Sequence, residues 1–320
     1  MAEAEARVKA ALAALDAAGV AFAFRKGQGR EDVAGAREID IELAGRDRRA
    51  ADEALRRAGF ELLRAPGTWP HRFYLAHVDG RWLKLDAKLE GRQPGLERPS
   101  VRLAWSKVAR RFPVSPKRVG PVVALVGPDG AGKGSVIERL QAEIPLAVSV
   151  LYLGWRPPRR RLLPESRGNG RERSALRECA GLMRGHLRTS RGLLRGYAAA
   201  WSGTIVLCDR HPLEALAVQP RRTPAGAALE RLLLRRLTPW PDAIVVLDAP
   251  VEVLRARKDE HPPETLERWR EGYRRAFGGR PEAAFVSTDG PLDASTRSVS
   301  EIVWRALVRR RGWTGGGFRS

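Results

Sequence analysis

The chain has 320 residues, 43% of them hydrophobic, and a formal net charge of +21. That length suits two ordinary domains, and that apolar share excludes global disorder. Two cysteines, Cys179 and Cys208, are too few for a disulfide framework and are not spaced as zinc ligands; Cys208 lies in an apolar run and reads as core.

In chain order, MAEAEARVKAALAALDAAGV reads as an amphipathic helix over Ala4–Ala18 rather than a signal peptide. No apolar run reaches membrane-spanning length, so a cytoplasmic protein without a membrane span is expected. A strand over Ala21–Arg25 and a second within EIDIELAG follow. Asp47–Ala58 reads as a helix, with Asp47 as N-cap and Gly59 as its stop. HRFYLAHV and RWLKLDAKL are strands, joined at Asp79-Gly80 by a hairpin-turn signal. This makes residues 1–113 a small mixed α/β domain. FPVSPKRVGP carries three prolines and few apolar residues, so residues 114–120 read as a linker.

Residues 121–312 alternate short apolar runs with helical patterns, ahead of a tail over 313–320. Strands are expected at Val122–Val126, Val148–Leu153, Thr204–Cys208, Ala243–Leu247 and Ala284–Ser287. Helices are expected at Lys133–Glu143, Ser174–Trp201, Ala225–Leu237, Val251–Lys258, Pro263–Phe277 and Ala294–Arg310. The fold class is α/β, with a parallel sheet covered by helices on both faces. Arg156–Arg173, polar and broken by Pro and Gly, is expected as a mobile basic loop. The basic excess suits a polyanion partner, nucleic acid or an anionic membrane surface. It equally suits an Arg-rich proteome; that reading is preferred, because the basic residues are mostly Arg and no nucleic-acid-binding signature is present.

Gly127-Pro128-Asp129-Gly130-Ala131-Gly132-Lys133 follows a strand and opens a helix, the setting of a phosphate-gripping loop. Its glycines let backbone N–H groups turn around a phosphate, at the positive end of the helix. Lys133 would reach the β- and γ-phosphates of ATP. Gly134 stands where most such loops carry Ser or Thr, and Ser135, one residue later, is the expected Mg²⁺ contact.

Adenylate kinases have G-K-G-T loops, so this order has a parallel among nucleoside monophosphate kinases. The wider sequence resembles the thymidylate kinases. Gly127–Lys133 fits their G-x-D-G-A-G-K. IVLCDRHPLEALAVQ (Ile205–Gln219) is similar to their D-R segment, PDAIVVLDAPVEVLRARK to the strand and helix before their lid, and ERWREGYRRAF (Glu267–Phe277) to the helix after it. These motifs span residues 121–311. The resemblance implies ATP-dependent phosphoryl transfer with Mg²⁺ to a small-molecule phosphate acceptor. It implies that Asp129 contacts an acceptor sugar, that Asp209 organises the metal, and that Arg210, with Arg188, holds the acceptor phosphate. Gly130 stands where some relatives place a catalytic Arg; in its absence the lid side would supply one, Arg255 or Arg257. Two other readings stay open: Asp209 as a plain helix cap, and Asp248 in the metal role.

Three departures bear on the acceptor. LGWRPP replaces the family's R-E-P-G, Val218 replaces the Tyr of A-Y-Q, and Glu214 replaces a Ser. The thymine pocket is therefore not expected, and dTMP is a poor acceptor on this reading.

In the first domain Asp40 and Glu42 share a strand face, and Asp86 lies on a later strand. With the turn Lys26-Gly27-Gln28-Gly29, they resemble the minimal nucleotidyltransferase fold, in which three carboxylates hold Mg²⁺. Gln28 departs from that family's Ser. Surface ion pairs with Lys84, Lys88 and neighbouring Arg are the other reading of these acids. The function alternatives are a bifunctional kinase and nucleotidyltransferase, or a non-catalytic nucleotide- or nucleic-acid-binding regulator. A second copy of the chain is a further partner option.

Overall fold

The computed structural model describes residues 2–32, 36–63, 70–90, 120–154, 175–218 and 222–311. The expected linker (except Gly120), the basic stretch Arg156–Arg173 and the tail over 313–320 lie outside them.

The first domain begins with α1 (Ala2–Ala17). Ala4, Val8, Ala11, Leu12 and Leu15 recur at helical spacing and are buried, and Glu3 and Glu5 suit the positive end of its dipole. Gly19, at φ 65°, ends it, and Val20 N–H returns to the Leu15 carbonyl at 3.0 Å. β1 (Phe22–Phe24) and β2 (Glu38–Ala44) follow. Next comes α2 (Arg48–Arg57), which Gly59 terminates in the same way, at φ 84°. Asp47 stands at the N-cap of α2 and closes a 3₁₀ turn there, but its side chain makes no capping bond. A short strand with no alternating pattern to announce it, β3 (Glu61–Leu63), precedes β4 (His71–Val78) and β5 (Arg81–Glu90). Asp79 and Gly80, at φ 51° and 76°, form the tight turn between the last two.

The sheet order is β1-β2-β5-β4-β3, antiparallel except for the parallel pair β2–β5. Alternation sends Ile39, Ile41, Leu43, Leu83 and Leu85 to the face covered by α1 and α2. The opposite face carries Glu38, Asp40, Glu42, Lys84, Asp86 and Lys88 in register. Toward its other edge it becomes apolar, and Leu63, Leu75 and Trp82 join the core of the second domain.

The second domain has the expected five strands, all parallel: β6 (Val122–Val126), β7 (Val148–Tyr152), β8 (Ile205–Asp209), β9 (Ala243–Asp248) and β10 (Ala283–Ser287), in the order β10-β9-β6-β8-β7. Its helices are α3 (Lys133–Glu143), α4 (Ala175–Trp201), α5 (Ala215–Val218), α6 (Pro224–Leu232), α7 (Val251–Arg257), α8 (Pro263–Phe277) and α9 (Leu292–Arg311). The helix read over Ala225–Leu237 changes to a π turn at Leu233–Leu237. α3 and α9 cover one face of the sheet; α4, α5 and α8 pack against the other. Every residue of β6 is buried, as a central parallel strand requires. Cys208 is core, and burial pushes its thiol up to about 12. Among the described residues no helix is long and apolar enough to cross a membrane.

Candidate functional site

The chain reverses its build direction around β6: β7 and β8 lie to one side, β9 and β10 to the other. In such sheets ligands occupy the crevice at the carboxyl ends of the strands, where the order reverses. The loop from Gly127 to Gly132 sits there. Gly127, Gly130 and Gly132 have φ of 143°, 86° and 76°, conformations that strain other residues. A Cβ at Gly130 would also press on the Leu254 backbone of α7. Residue 130 is therefore closed to a side chain, because α7 packs directly on the loop.

Lys133 opens α3 and is 8% exposed. Its Nζ donates to the carbonyls of Gly127 (2.8 Å) and Pro128 (2.9 Å), so it already points into the loop. Burial, with Arg210 nearby, lowers its ammonium to about 8. Gly134 and Ser135 are exposed on the first turn of α3, and a Cβ on Gly134 would meet open space.

Asp209 ends β8, and Arg210 follows at φ 68°, left-handed for a residue with a side chain. Its N–H is held by the Leu125 carbonyl of β6 at 3.0 Å. Such strain is tolerated where a side chain must be aimed. Arg210 pairs with Asp129 of the loop and lies 3.4 Å from Glu214. Burial opposes ionisation of Asp129, but Arg210 and Lys133 outweigh it and hold the carboxyl below its usual range. His261, between α7 and α8, stands 3.4 Å from Asp129.

Glu214, Tyr273, His261 and Tyr152 complete the site; of these the sequence marks Glu214 alone, as a departure in an acceptor pocket. Glu214 is 9% exposed. It accepts from the Gly127 N–H at 3.3 Å and from the Tyr273 hydroxyl at 2.9 Å. Burial raises its carboxyl above the ordinary range, against the pull of Arg210 and Lys133. Thus Glu214 lies beneath the loop, joining it to Arg210, and does not simply stand in for a pocket-lining Ser. Tyr152 is half exposed at the end of β7, and a Cβ on neighbouring Gly154 would touch both Tyr152 and Arg210. Tyr152 and the Arg210 side chain therefore close in on Gly154 from two sides.

The remaining predicted residues separate. Asp248 is occupied by Arg270 (2.8 Å) and Arg274 (3.5 Å), whereas no ion pair to Asp209 is found among the described residues. Those contacts favour Asp209, with the exposed Ser135, as the residues that would hold Mg²⁺. Arg255 pairs with Asp259 at 2.9 Å, and Arg257 donates to the Thr288 carbonyl at 2.7 Å. Both are on α7, which packs on the loop, yet both guanidinia are engaged elsewhere. Arg188 is exposed on α4.

In the first domain, Glu38, Asp40 and Asp86 offer oxygens within 4.8 Å of one another. Glu42, expected in this set, is instead tied to Lys88, its cross-strand neighbour, at 2.5 Å. Asp40 is 2% exposed, with Lys26 at 3.0 Å, while His71 contacts Asp86 at 2.7 Å and Lys84 contacts Glu38 at 2.7 Å. Gln28 accepts from the Asp40 N–H (3.0 Å) and donates to the Glu38 carbonyl (3.2 Å), fastening the turn to β2. Glu38, Asp40 and Asp86 thus converge, and each has a basic side chain beside it.

No family model matches the chain, and no curated protein does. Among solved structures it is similar to a thymidylate kinase from Candida albicans, at 14% identity over 59% of this chain and 93% of that one, with a TM-score of 0.41.

Proposed function

We propose that residues 121–312 form an ATP-dependent kinase that phosphorylates a nucleoside monophosphate or another small phosphorylated acceptor, and that dTMP is a poor one. The observation that carries this reading is that Lys133, inside the loop at the end of β6, feels the charge of Arg210, which follows the adjacent β8. One cation suits the donor's phosphates, the other an acceptor's phosphate. In the reaction the bond from the γ-phosphorus to its bridging oxygen breaks, and an acceptor oxygen forms the new one, giving ADP and the phosphorylated acceptor. Lys133 and Arg210 neutralise the equatorial oxygens as charge spreads over them. Asp129 is released from Arg210 when the acceptor phosphate takes its place, and can then receive an acceptor hydroxyl. Asp209 and Ser135 would hold Mg²⁺, which would supply further charge neutralisation when bound.

The test is ADP release from ATP and Mg²⁺ across nucleoside monophosphates and small phosphorylated compounds. At least one acceptor should saturate in the micromolar to millimolar range, on the order usual for substrates. If none raises ADP release above the rate with ATP alone, the reading fails.

A second reading rests on the convergence of Glu38, Asp40 and Asp86. On it, the first domain holds a divalent cation and transfers a nucleotidyl group. Pyrophosphate release from nucleoside triphosphates that survives Lys133→Ala and disappears in Asp40→Asn would support this activity. Its absence would leave the domain as a binding or structural partner of the kinase.

A further inference from the structure

The turn between β4 and β5 faces α9, and the two domains meet there around one hydroxyl. Ser300, fully buried, accepts the Trp82 indole N–H at 2.8 Å, and its Oγ is 3.1 Å from His77 Nε2. A buried hydroxyl must place its own proton. The His77 Nε2 can accept it, which would leave the imidazole proton on Nδ1. That N–H has no partner among the described residues. Burial also holds the imidazole below its usual range, in keeping with a neutral ring.

Beside this contact lies a cleft of about 760 Å³, lined by His77, Arg81, Arg297, Glu301, Trp304 and Arg305 together with the Asp79-Gly80 turn. Its volume falls within the roughly 300–1,000 Å³ usual for ligand sites, which favour domain junctions. One wall is aromatic: the His77 and Trp304 rings lie 6.0 Å apart and nearly parallel, and Trp82 braces Trp304 edge-on at 5.4 Å. The other is cationic. Glu301 is paired with Arg305, and Arg81 and Arg297 share the lining with Asp79, the one other carboxylate there among the described residues. A flat ring suits the indole, a phosphate suits the guanidinia, and a ring acceptor suits the His77 Nδ1–H.

We propose that this interdomain cleft is a second ligand site, distinct from the loop at β6, and that it takes a phosphorylated compound with a planar ring, of the nucleotide class. A ligand there bridges β4 and β5 of the first domain to α9. Because α9 packs with α3 in one core, and Arg139 of α3 reaches Asp293 of α9 at 3.3 Å, occupancy bears on the helix that begins at Lys133.

The proposal does not depend on the kinase reading, and calorimetric titration of the full chain with ADP, GDP, CDP and UDP in turn separates them. Lys133→Ala should retain one saturable site for at least one of the four. Adding Arg81→Glu and Arg297→Glu, both exposed, should weaken that site at least tenfold while the circular dichroism melt stays unchanged. As a second readout, ligand-dependent tryptophan quenching in Lys133→Ala should be largely lost in Lys133→Ala/Trp304→Phe, which keeps an aromatic ring against Trp82. Loss of all binding in Lys133→Ala overturns the proposal. So does binding that neither the paired Arg changes nor Trp304→Phe alters. Wild-type binding that Lys133→Ala leaves wholly intact would instead sink the loop as a nucleotide site and keep the cleft.

Discussion

The crevice at β6 and the acidic face of the first domain both gather charge at a sheet, but they are made differently. At β6 the charges are interlocked, two of them buried: Lys133 is on loop carbonyls, Glu214 is on a loop N–H, and half-buried Arg210 lies between Asp129 and Glu214. On the acidic face each charge stands on a strand with a counter-charge supplied by register or by a neighbouring turn, and several partners are open to water. A backbone-built anion site survives only if its supports stay in place. A side-chain-built cation site can be retuned one residue at a time.

The largest expected difference is in stability. Glu214→Ala leaves Arg210 short of one partner and the Gly127 N–H buried without one. By analogy with other broken buried pairs it should cost about 3 kcal/mol in urea unfolding. Glu42→Gln, at the half-open Lys88 pair, should leave the unfolding midpoint unchanged. Equal losses would erase the contrast.

Next comes pH. The Lys133 ammonium lies at about 8 in the folded chain against 10.5 as a free side chain, so the unfolded chain binds more protons between those values. Its contribution to stability is therefore unfavourable below about 8 and improves as pH rises toward 10.5. Nucleotide affinity should move the other way, falling above pH 8 by up to about tenfold per unit. Lys133→Arg should flatten that fall. A flat profile in the parent chain would remove Lys133 as the titrating cation.

On the acidic face, Mn²⁺ binding followed by paramagnetic relaxation should weaken about tenfold or more in Asp40→Asn and Asp86→Asn. It should change less than about twofold in Glu42→Gln, because coordination depends on the converging set. Equal effects of all three would restore Glu42 to the site.

The smallest effect belongs to Gly134→Ser. Nothing in the fold requires glycine there, since a Cβ meets open space on an exposed helix turn. The change should stabilise by about 0.5 kcal/mol and leave turnover within a few-fold. A large loss of activity would show that bare backbone at residue 134 is used by the ligand.

The same contrast explains what the sequence disclosed. The loop at β6, the five parallel strands and the Asp79-Gly80 turn were legible because their causes are local: glycines where φ is positive, and apolar runs of strand length. Glu214, Tyr273 and the Trp82–Ser300 contact were not, because each acts through a residue far away along the chain, 218 positions in the last case. β3 escaped because three residues show no period. Glu38 escaped because Asp40 and Glu42 already made a pair. Only the β2–β5 register shows that Lys88 stands opposite Glu42 and so claims it.

The most direct test of the central claim compares Lys133→Ala and Arg210→Ala with the parent chain in single-turnover transfer of labelled γ-phosphate from ATP to the best acceptor. Lys133→Ala should slow the chemical step about a hundredfold or more with the fold retained by circular dichroism, as expected for loss of a cation that acts in the transition state. Arg210→Ala should raise the acceptor concentration needed for half-maximal rate while ATP affinity stays within a few-fold. Transfer at the parental rate by well-folded Lys133→Ala would contradict the account.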